Sequence, residues 1–420
     1  TNDENIEESG VFKEKTFDIR SMEKCVVATT IARFPYDFFM TDSETIYLNG
    51  IKWDYIVIDE ASMIPIANIV YPLFKKTPKQ FIIAGDPFQI EPIASVDIWK
   101  DENIYTMVEL KSFINPTTKP HDFEVKLLTK QYRSIPSVGN VFSRLTYGGI
   151  LEHNRTEDSQ RKLNIEDVID IGTLNVIKFP VSKYESIYRA KRLNNSSYQV
   201  YSALFTYEFV CYLSRLIASK NSESFKIGVI APYKAQTGLI DKLLASANLP
   251  KTIDVQVDTV HSFQGDECDI IISVFNTPPT ISTRKDMFLN KKNLVNVSIS
   301  RARDYLFVIM PDDDTENVNN LQLIKRLEHL CKDTTVCKEF DTHSLEVAMF
   351  GDELYLEKNS FSTSHQSVNV YGLPESKYEV RSEDNAVDIQ VHKQAVENEE
   401  EIEYAPPKKR VAKGNMVKVK

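Results

Sequence analysis

The sequence predicts an α/β protein with two parallel-sheet domains, and three observations support this fold class. The chain has 420 residues, more than one ordinary domain of about 150 residues. Hydrophobic residues make up 42% and charged residues 26%, which is the balance of a globular chain with a real core. Short apolar runs alternate with helical patterns, which favours βαβ units in a parallel sheet covered on both faces.

The first domain is predicted over residues 1–98. Apolar runs at 25–30, 55–58 and 81–85 end there at a polar residue or a glycine, as fully buried parallel strands do. The following residues, 99–125, are irregular and contain two prolines, so we expect a connector between two sheets.

The second domain is predicted over residues 126–312, where the same alternation resumes. Its clearest strands are 227–230, 270–274 and 305–309, and helical patterns cover 207–219 and 237–247. A parallel sheet with covering helices is therefore expected here as well.

The remaining residues change in character after 312. A helical pattern at 319–331 and an alternating run at 387–391 predict a small, mixed or mostly β appendage over 313–393. Residues 394–420 are acidic and then basic, which predicts a disordered tail. Its Lys408–Arg410 cluster fits a nuclear-import signal, a phosphate-touching arm or an ordinary solvated charge run.

Composition excludes some classes of protein and leaves others open. No apolar run approaches the ~18 residues of a membrane-spanning helix, so no membrane partner is expected. The five cysteines are odd in number and scattered, which favours a soluble, reduced location in the cytoplasm or nucleus over a disulfide framework. The net charge of −10 argues against a protein that binds nucleic acid over its whole surface, but it is compatible with a locally basic groove.

Polar side chains follow two of the predicted strands in the first domain. Asp59 and Glu60 follow the run at 55–58, where carboxylates can bind Mg²⁺ and activate water. Gln89 ends the segment after the next strand, and its amide can sense a terminal phosphate. An acidic strand end facing solvent and an ordinary Gly-Asp-Pro turn are the alternatives.

The second domain supplies cations that suit phosphoryl transfer. Arg133 ends a predicted strand that starts near residue 127, and Arg301 and Arg303 are expected on a helix before the strand at 305–309. Guanidinium groups stabilise the charge that develops on transferred phosphate oxygens, although each arginine alone also fits a surface ion pair. Gly265 and Glu267 lie in a polar loop that can hold a ribose or a phosphate.

Taken in order, these segments resemble the motif series of superfamily 1B helicases, the group that contains the nonsense-mediated-decay RNA helicase. The resemblance covers residues 25–311. The matching segments are residues 27–30, 57–62, 85–89, 131–136, 231–236, 257–267 and 296–303.

The resemblance implies two RecA-like domains that hydrolyse ATP with Mg²⁺ between them and move 5′ to 3′ along single-stranded RNA or DNA. Asp59 would bind the metal, Glu60 would activate water and Gln89 would sense the γ-phosphate. The implied arginine fingers are Arg133 and Arg301, and the implied nucleotide contacts are Gly265, Glu267 (on the ribose) and Arg303. The implied contacts with the single strand are Thr29, Thr30, Pro232, Tyr233 and Thr259.

The sequence departs from the family at the phosphate-binding loop. The pattern Gly-x-x-x-x-Gly-Lys-Ser/Thr is absent, since no glycine in the chain is followed by lysine. We therefore expect the first domain to be incomplete at its N-terminus, with the loop in a missing N-terminal segment, and this chain alone to be inactive. A non-catalytic module that binds nucleic acid or protein is the alternative. A metal-dependent nuclease would leave the arginines and Gln89 without a role.

Overall fold

A computed structural model describes residues 18–76, 78–92, 102–110, 123–181, 187–263, 265–281, 288–312 and 320–360. The chain divides into two compact units, Thr1–Lys119 and Pro120–Lys420. The expected strand at 387–391, the tail at 394–420 and the Lys408–Arg410 cluster lie outside the described residues. No helix in the described ranges is long and apolar enough to span a membrane.

Unit 1 contains a small antiparallel hairpin and a parallel strand pair. The hairpin joins β1 to β2, and the parallel pair joins β3 to β4. The strands are β1 (Phe38–Met40), β2 (Thr45–Tyr47), β3 (Tyr55–Ile58) and β4 (Gln80–Ile83). The helices are α1 (Ile66–Lys75), which connects β3 to β4, and α2 (Ile104–Met107).

The two faces of the β3–β4 pair differ sharply in burial. Ile58 packs with Ile66 and Ile69 of α1 in a buried cluster that also contains Ala61 and Tyr105. Since successive side chains of a strand point to opposite faces, the other face carries the remaining positions. There Tyr55, Val57 and Ile82 are 59%, 62% and 44% exposed.

The prediction of a strand at residues 25–30 is wrong. No part of this run is a strand, and Val26 is 99% exposed. A turn follows directly, closed by hydrogen bonds from the amides of Arg33 and Phe34 to the carbonyl of Thr30, both 2.9 Å. The β-branched residues favour a strand only when a neighbouring strand accepts their backbone hydrogen bonds, and this run pairs with none among the described residues.

Unit 2 is built on a six-stranded sheet in the order β11-β10-β12-β13-β7-β14, and every neighbouring pair is parallel. Its strands are β7 (Leu174–Phe179), β10 (Phe225–Ala231), β11 (Ile253–Thr259), β12 (Cys268–Val274), β13 (Ala302–Pro311) and β14 (Cys337–Asp341). Two short pairs accompany the sheet: β5 (Lys130–Gln131) with β6 (Glu152–His153), and β8 (Lys191–Leu193) with β9 (Ser196–Tyr198). The α/β fold expected for this half of the chain is confirmed.

Helices surround the described part of this sheet. They are α3 (Pro136–Thr146), α4 (Val200–Lys220), α5 (Lys234–Leu244), α6 (Lys292–Ser300), α7 (Gln322–Lys332), α8 (Thr342–Phe350) and α9 (Tyr355–Ser360). Phe205 and Phe209 on α4 stack at 5.8 Å, and Phe209 meets Phe307 of β13 edge-on at 5.4 Å. Burying each such ring stabilises the fold by roughly 1.5–3 kcal/mol, so the aromatic column anchors α4 to the sheet centre.

The three clearest predicted strands of unit 2 are confirmed as β10, β12 and β13, with ends that extend slightly further. The strand predicted to start near residue 127 is limited to Lys130–Gln131, so Arg133 lies beyond its end.

A second placement is wrong, because Arg303 lies on β13 and not on the preceding helix. The helix α6 ends at Ser300, and Arg301 caps it with φ −85° and ψ −11°. Ala302 then pairs with Cys268 of β12, so the chain enters the sheet immediately after the cap.

The described part of the expected appendage differs from a mostly β structure. Residues 320–360 contain α7, α8, α9 and one strand, β14. That strand pairs in parallel with β7, so it extends the sheet of unit 2. The alternating run at 387–391 lies outside the described residues.

Candidate functional site

The ends of β3 and β4 are joined by backbone hydrogen bonds at the predicted carboxylate edge. The Ala84 amide donates to the Ile58 carbonyl at 2.8 Å, and the Ala61 amide donates to the Ala84 carbonyl at 3.0 Å. Between these bonds the chain turns at Glu60, whose φ of 50° is left-handed. Such a conformation costs a non-glycine residue about 1 kcal/mol and occurs often at functional turns.

Gly85 is required by the close approach of these two strand ends. Its φ is +146°, which L side chains rarely adopt. A Cβ atom there would lie 2.9 Å from both the Ala61 amide nitrogen and the Tyr105 hydroxyl. The glycine therefore allows the Glu60 turn, the end of β4 and the Tyr105 ring to meet in one place.

The Tyr105 hydroxyl lies at the centre of this carboxylate edge. The residue is 8% exposed, and its hydroxyl makes no hydrogen bond with the described residues. Burial raises the pKa of Tyr105 to about 12, and the charges of Asp86, Asp59 and Glu60 act in the same direction. Sequence analysis missed Tyr105 because it falls in the expected connector, where no motif marks it.

The oxygen atoms at this edge fit Mg²⁺ when other oxygen ligands complete the shell. Asp59 and Glu60 are exposed, and Asp86 is half-buried. Within the described ranges, no group of three or more histidine, cysteine, aspartate or glutamate residues could hold a metal ion. Mg²⁺ characteristically takes one or two carboxylates and completes its shell with phosphate and water, so this donor set suits it.

Gln89 is held by a turn that begins at Asp86. The Phe88 amide donates to the Asp86 carboxylate at 2.8 Å, and the Gln89 amide donates to the Asp86 carbonyl at 3.0 Å. This turn places Gln89 half-buried just beyond the end of β4. The carboxylate edge and the predicted phosphate sensor thus follow neighbouring strands.

Thr29 and Thr30, which the resemblance assigns to the single strand, are exposed in unit 1. The Thr29 hydroxyl donates to Asp37, which also pairs with Arg33 at 2.8 Å. The Thr30 carbonyl caps the following turn. The Thr29 hydroxyl is therefore engaged within unit 1, and Thr30 begins the turn.

In unit 2, Glu267 joins two of the predicted arginines. Its carboxylate accepts from Arg133 Nε at 2.9 Å and from Arg303 Nη1 at 2.5 Å. Arg133 Nη1 also donates to the Ser300 carbonyl at 3.1 Å. Partial burial would raise the pKa of Glu267, but the two guanidinium groups outweigh burial and lower it. Glu267 is therefore ionised at neutral pH.

Arg155 fixes the backbone of both these arginines, and sequence analysis did not identify it. Its Nη1 donates to the carbonyls of Arg133 at 2.9 Å and Arg303 at 3.2 Å. Its Nη2 donates to Asp304 at 2.6 Å and to the Ser159 carbonyl at 2.7 Å. No local motif marks Arg155, because its role depends on segments that meet only in the folded protein.

A second layer of hydrogen bonds supports the Arg133 segment. The Gln131 side-chain oxygen accepts from the amides of Arg133 and Ser134, both at 2.9 Å. The Gln131 amide group lies 2.7 Å from His153 Nδ1 and donates to the Ser134 carbonyl at 2.8 Å. Burial lowers the pKa of His153, which favours the neutral ring as the acceptor.

The other predicted residues of unit 2 have different exposures. Arg301 is 2% exposed, and its carbonyl accepts from the Cys268 amide at 3.1 Å. Gly265 is exposed with φ +91° and open space around it, which suits close backbone approach to a ligand. Pro232 is buried, Tyr233 is half-buried and Thr259 is 8% exposed. Among the predicted site residues of unit 2, Arg133 and Arg303 are brought together by their side-chain hydrogen bonds to Glu267.

Comparison with known proteins finds sequences that are similar to much of this chain. Residues 110–312 match the family model described as an AAA domain. The mouse 5'-3' DNA helicase ZGRF1 is 29% identical over 264 residues, which cover 62% of this chain and 13% of that protein. This chain contains a superfamily 1B helicase-like region.

A second relative matches the helicase-like region more widely. Helicase SEN1 of Saccharomyces cerevisiae is 26% identical over 292 residues, which cover 68% of this chain and 12% of that protein. The chain therefore spans about an eighth of these two relatives. Among solved structures, that of the PRRSV helicase matches with a TM-score of 0.30 and 13% identity over 62% of this chain and 35% of that one.

Proposed function

We propose that this helicase-like region belongs to a nucleic-acid-dependent ATPase that moves 5′ to 3′ along a single strand. The observation that carries the proposal is the Glu267 carboxylate bonded to both Arg133 and Arg303 in one unit. Unit 1 carries carboxylates at the ends of the neighbouring strands β3 and β4, and their charges act on Tyr105 of α2.

In this proposal the carboxylate edge acts on the phosphates and on water. Asp59 holds Mg²⁺, which offsets negative charge on the phosphates. Glu60 accepts the proton of the attacking water, and Gln89 donates its side-chain amide to the γ-phosphate. The left-handed Glu60 turn supports these roles, because backbone hydrogen bonds on either side of it keep this turn beside the end of β4.

The guanidinium groups of unit 2 stabilise charge that develops on the transferred phosphate. Arg133 and Arg301 act as the arginine fingers, while Gly265, Glu267 and Arg303 hold the nucleotide. The Arg155 contacts support this proposal, because they set the backbone positions of two cations in advance. Preorganised charge needs little rearrangement when the reaction occurs.

We further propose that the phosphate-binding loop comes from a part of the parent protein outside this chain. The exposed apolar face of the β3–β4 pair supports this, since Tyr55, Val57 and Ile82 would suit contact with further structure. On this proposal the 420-residue chain alone turns over little ATP, and the parent protein turns over ATP readily.

The test is ATP hydrolysis by the full-length parent protein, with and without single-stranded RNA or DNA. Strand-stimulated turnover is expected, and Glu60→Gln is expected to reduce kcat by at least about a hundredfold through loss of the general base. Glu109→Gln is the control, because Glu109 is also a glutamate of unit 1 with a positive φ and has no role in the proposed site. An inactive wild-type parent protein would favour the non-catalytic binding module.

A further inference from the structure

A surface of unit 2 combines aromatic rings with basic side chains, and its residues come from separate segments of the chain. We call it the ring surface. The rings belong to Tyr233 before α5, His261 after β11 and Phe288 before α6. The neighbouring basic residues are Arg192 on β8, Lys234 and Lys291.

Phe288 is the central ring of this surface. Its centroid lies 5.5 Å from that of Tyr233 at an interplanar angle of 39°, and 6.3 Å from that of His261 at 31°. Tyr233 and Phe288 are half-buried, and His261 is exposed. Each ring therefore retains surface that a planar ligand can contact.

Charge on the ring surface is positive although the whole chain carries −10. Although His261 is exposed, neighbouring atoms partly desolvate its ring and lower its pKa, and the charges of Lys291 and Lys234 lower it further. The charge of Arg192 likewise opposes the effect of burial on the Tyr233 pKa. Three cations thus lie within electrostatic reach of the rings, while the imidazole is neutral.

The hairpin that carries Arg192 is fixed to the start of α5. The Ser196 hydroxyl accepts from the Ala235 amide at 2.9 Å, and the Gln236 side chain accepts from the Gln199 amide at 2.8 Å. Asn276 donates to the Ser197 carbonyl at 3.3 Å. These bonds hold β8 and β9 beside Tyr233, so Arg192 belongs to a built surface.

We propose that the ring surface binds single-stranded nucleic acid by stacking a base on Phe288. Lys234, Lys291 and Arg192 then contact the phosphates on either side. Aromatic rings interleaved with cations are what an unpaired strand requires, because each base has a π-face and each phosphate a charge. The inference rests on the proposed function and extends its strand-binding residues beyond Pro232, Tyr233 and Thr259.

The first experiment measures binding of the 420-residue chain to fluorescein-labelled single-stranded DNA and RNA by anisotropy. Phe288→Ala is expected to weaken binding about tenfold or more, because base stacking contributes that much per base. Phe288→Trp is expected to retain binding, and Phe288→Leu is expected to lose it, since leucine keeps apolar volume without a π-face. Phe74→Ala is the matched control, because Phe74 is 81% exposed in unit 1.

The second experiment measures how salt weakens binding. Lys291→Ala and Arg192→Ala are each expected to reduce the slope of log Kd against log salt by about 0.7, the value for one phosphate of a single strand. These variants also test the proposal if Phe288→Ala fails to fold, which circular dichroism would show.

Two outcomes would overturn the inference in distinguishable ways. If wild-type chain binds the strand and the Phe288 and cation variants bind equally well, the ring surface is not the site and the proposed function stands. If wild-type chain binds neither DNA nor RNA, and strands do not stimulate the parent ATPase, both proposals fail.

Discussion

At the scale of single residues, the site in unit 2 depends on a side chain that touches no predicted ligand. Arg155 donates to the carbonyls of Arg133 and Arg303 and pairs with Asp304, whose side chain is fully buried. Burial raises the pKa of Asp304 in spite of this arginine, so the carboxylate depends on its partner. Arg155 is a positioning residue, because it holds the backbone of Arg133 and of Arg303.

We predict that Arg155→Lys in the parent protein lowers kcat about tenfold and also raises KM for ATP, because Arg155 positions both Arg133 and the nucleotide contact Arg303. Lysine keeps the charge but lacks the planar fork that reaches both carbonyls and Asp304. The measurement is steady-state ATPase kinetics with a saturating single strand. Arg144→Lys is the control, because Arg144 forms an exposed ion pair with Asp333 on the same unit.

A purely structural role for Arg155 would give a different pattern. Arg155→Gln alone leaves Asp304 buried without its charge partner, which costs about 3–5 kcal/mol of stability. Adding Asp304→Asn removes that penalty, so the double variant recovers in thermal unfolding. If kcat recovers with it, the positioning role is wrong.

At the scale of secondary-structure elements, the carboxylate edge depends on how β3 and β4 end. Their last residues are joined through Ala84 and Ala61, and Gly85 provides the space for this contact. A parallel pair brings its carboxyl ends to the same edge, which is why residues far apart in the sequence meet there. The edge is therefore a property of the strand pair as well as of its side chains.

We predict that Gly85→Ala destabilises unit 1 by about 1–3 kcal/mol, because it adds a Cβ in a disfavoured backbone region and against a backbone amide. The measurement is urea unfolding of the chain followed by circular dichroism. Gly50→Ala is the matched control, since its Cβ would meet nothing within 4 Å. Equal stability of the two variants would contradict the prediction.

At the scale of the whole molecule, a buried carboxylate of α7 links this helix to the sheet of unit 2, in addition to the buried apolar side chains of the helix. Glu328 pairs with Lys178 of β7 at 2.7 Å and with Lys332 at 2.9 Å, and more weakly with Lys325 at 3.4 Å. Burial alone would raise the pKa of Glu328, but these lysines lower it to about 2. The fold therefore depends on this group being ionised.

We predict that unit 2 loses stability in acid as Glu328 takes up a proton. Because the folded pKa lies below the ordinary value of 4.5, the contribution is complete above pH 4.5 and disappears as the pH falls towards 2. Glu328→Gln should cost about 2 kcal/mol at pH 7 and little near pH 2, measured by urea unfolding across pH. Glu223→Gln is the control, because Glu223 forms an exposed pair with Arg161.

Part of this molecule could be predicted from its sequence. The strands β3 and β12 were identified from continuous apolar runs, but only β12 is buried throughout as expected, because one face of β3 is exposed. The run at 25–30 was wrongly predicted to be a strand, because β propensity does not reveal whether a partner strand is present. Tyr105 and Arg155 were missed because their roles arise from tertiary contacts that no local pattern records.

The order of strands in unit 2 has a consequence for how the chain folds as it is synthesised. The strand β7 lies between β13 and β14, and both are made long after it on the ribosome. One edge of β7 therefore lacks a hydrogen-bonding partner until β13 has been synthesised, and the other lacks one until β14, which ends at Asp341, has been synthesised. An apolar strand kept open for that time is a natural target for chaperones, and chain release before β14 would leave it prone to aggregation.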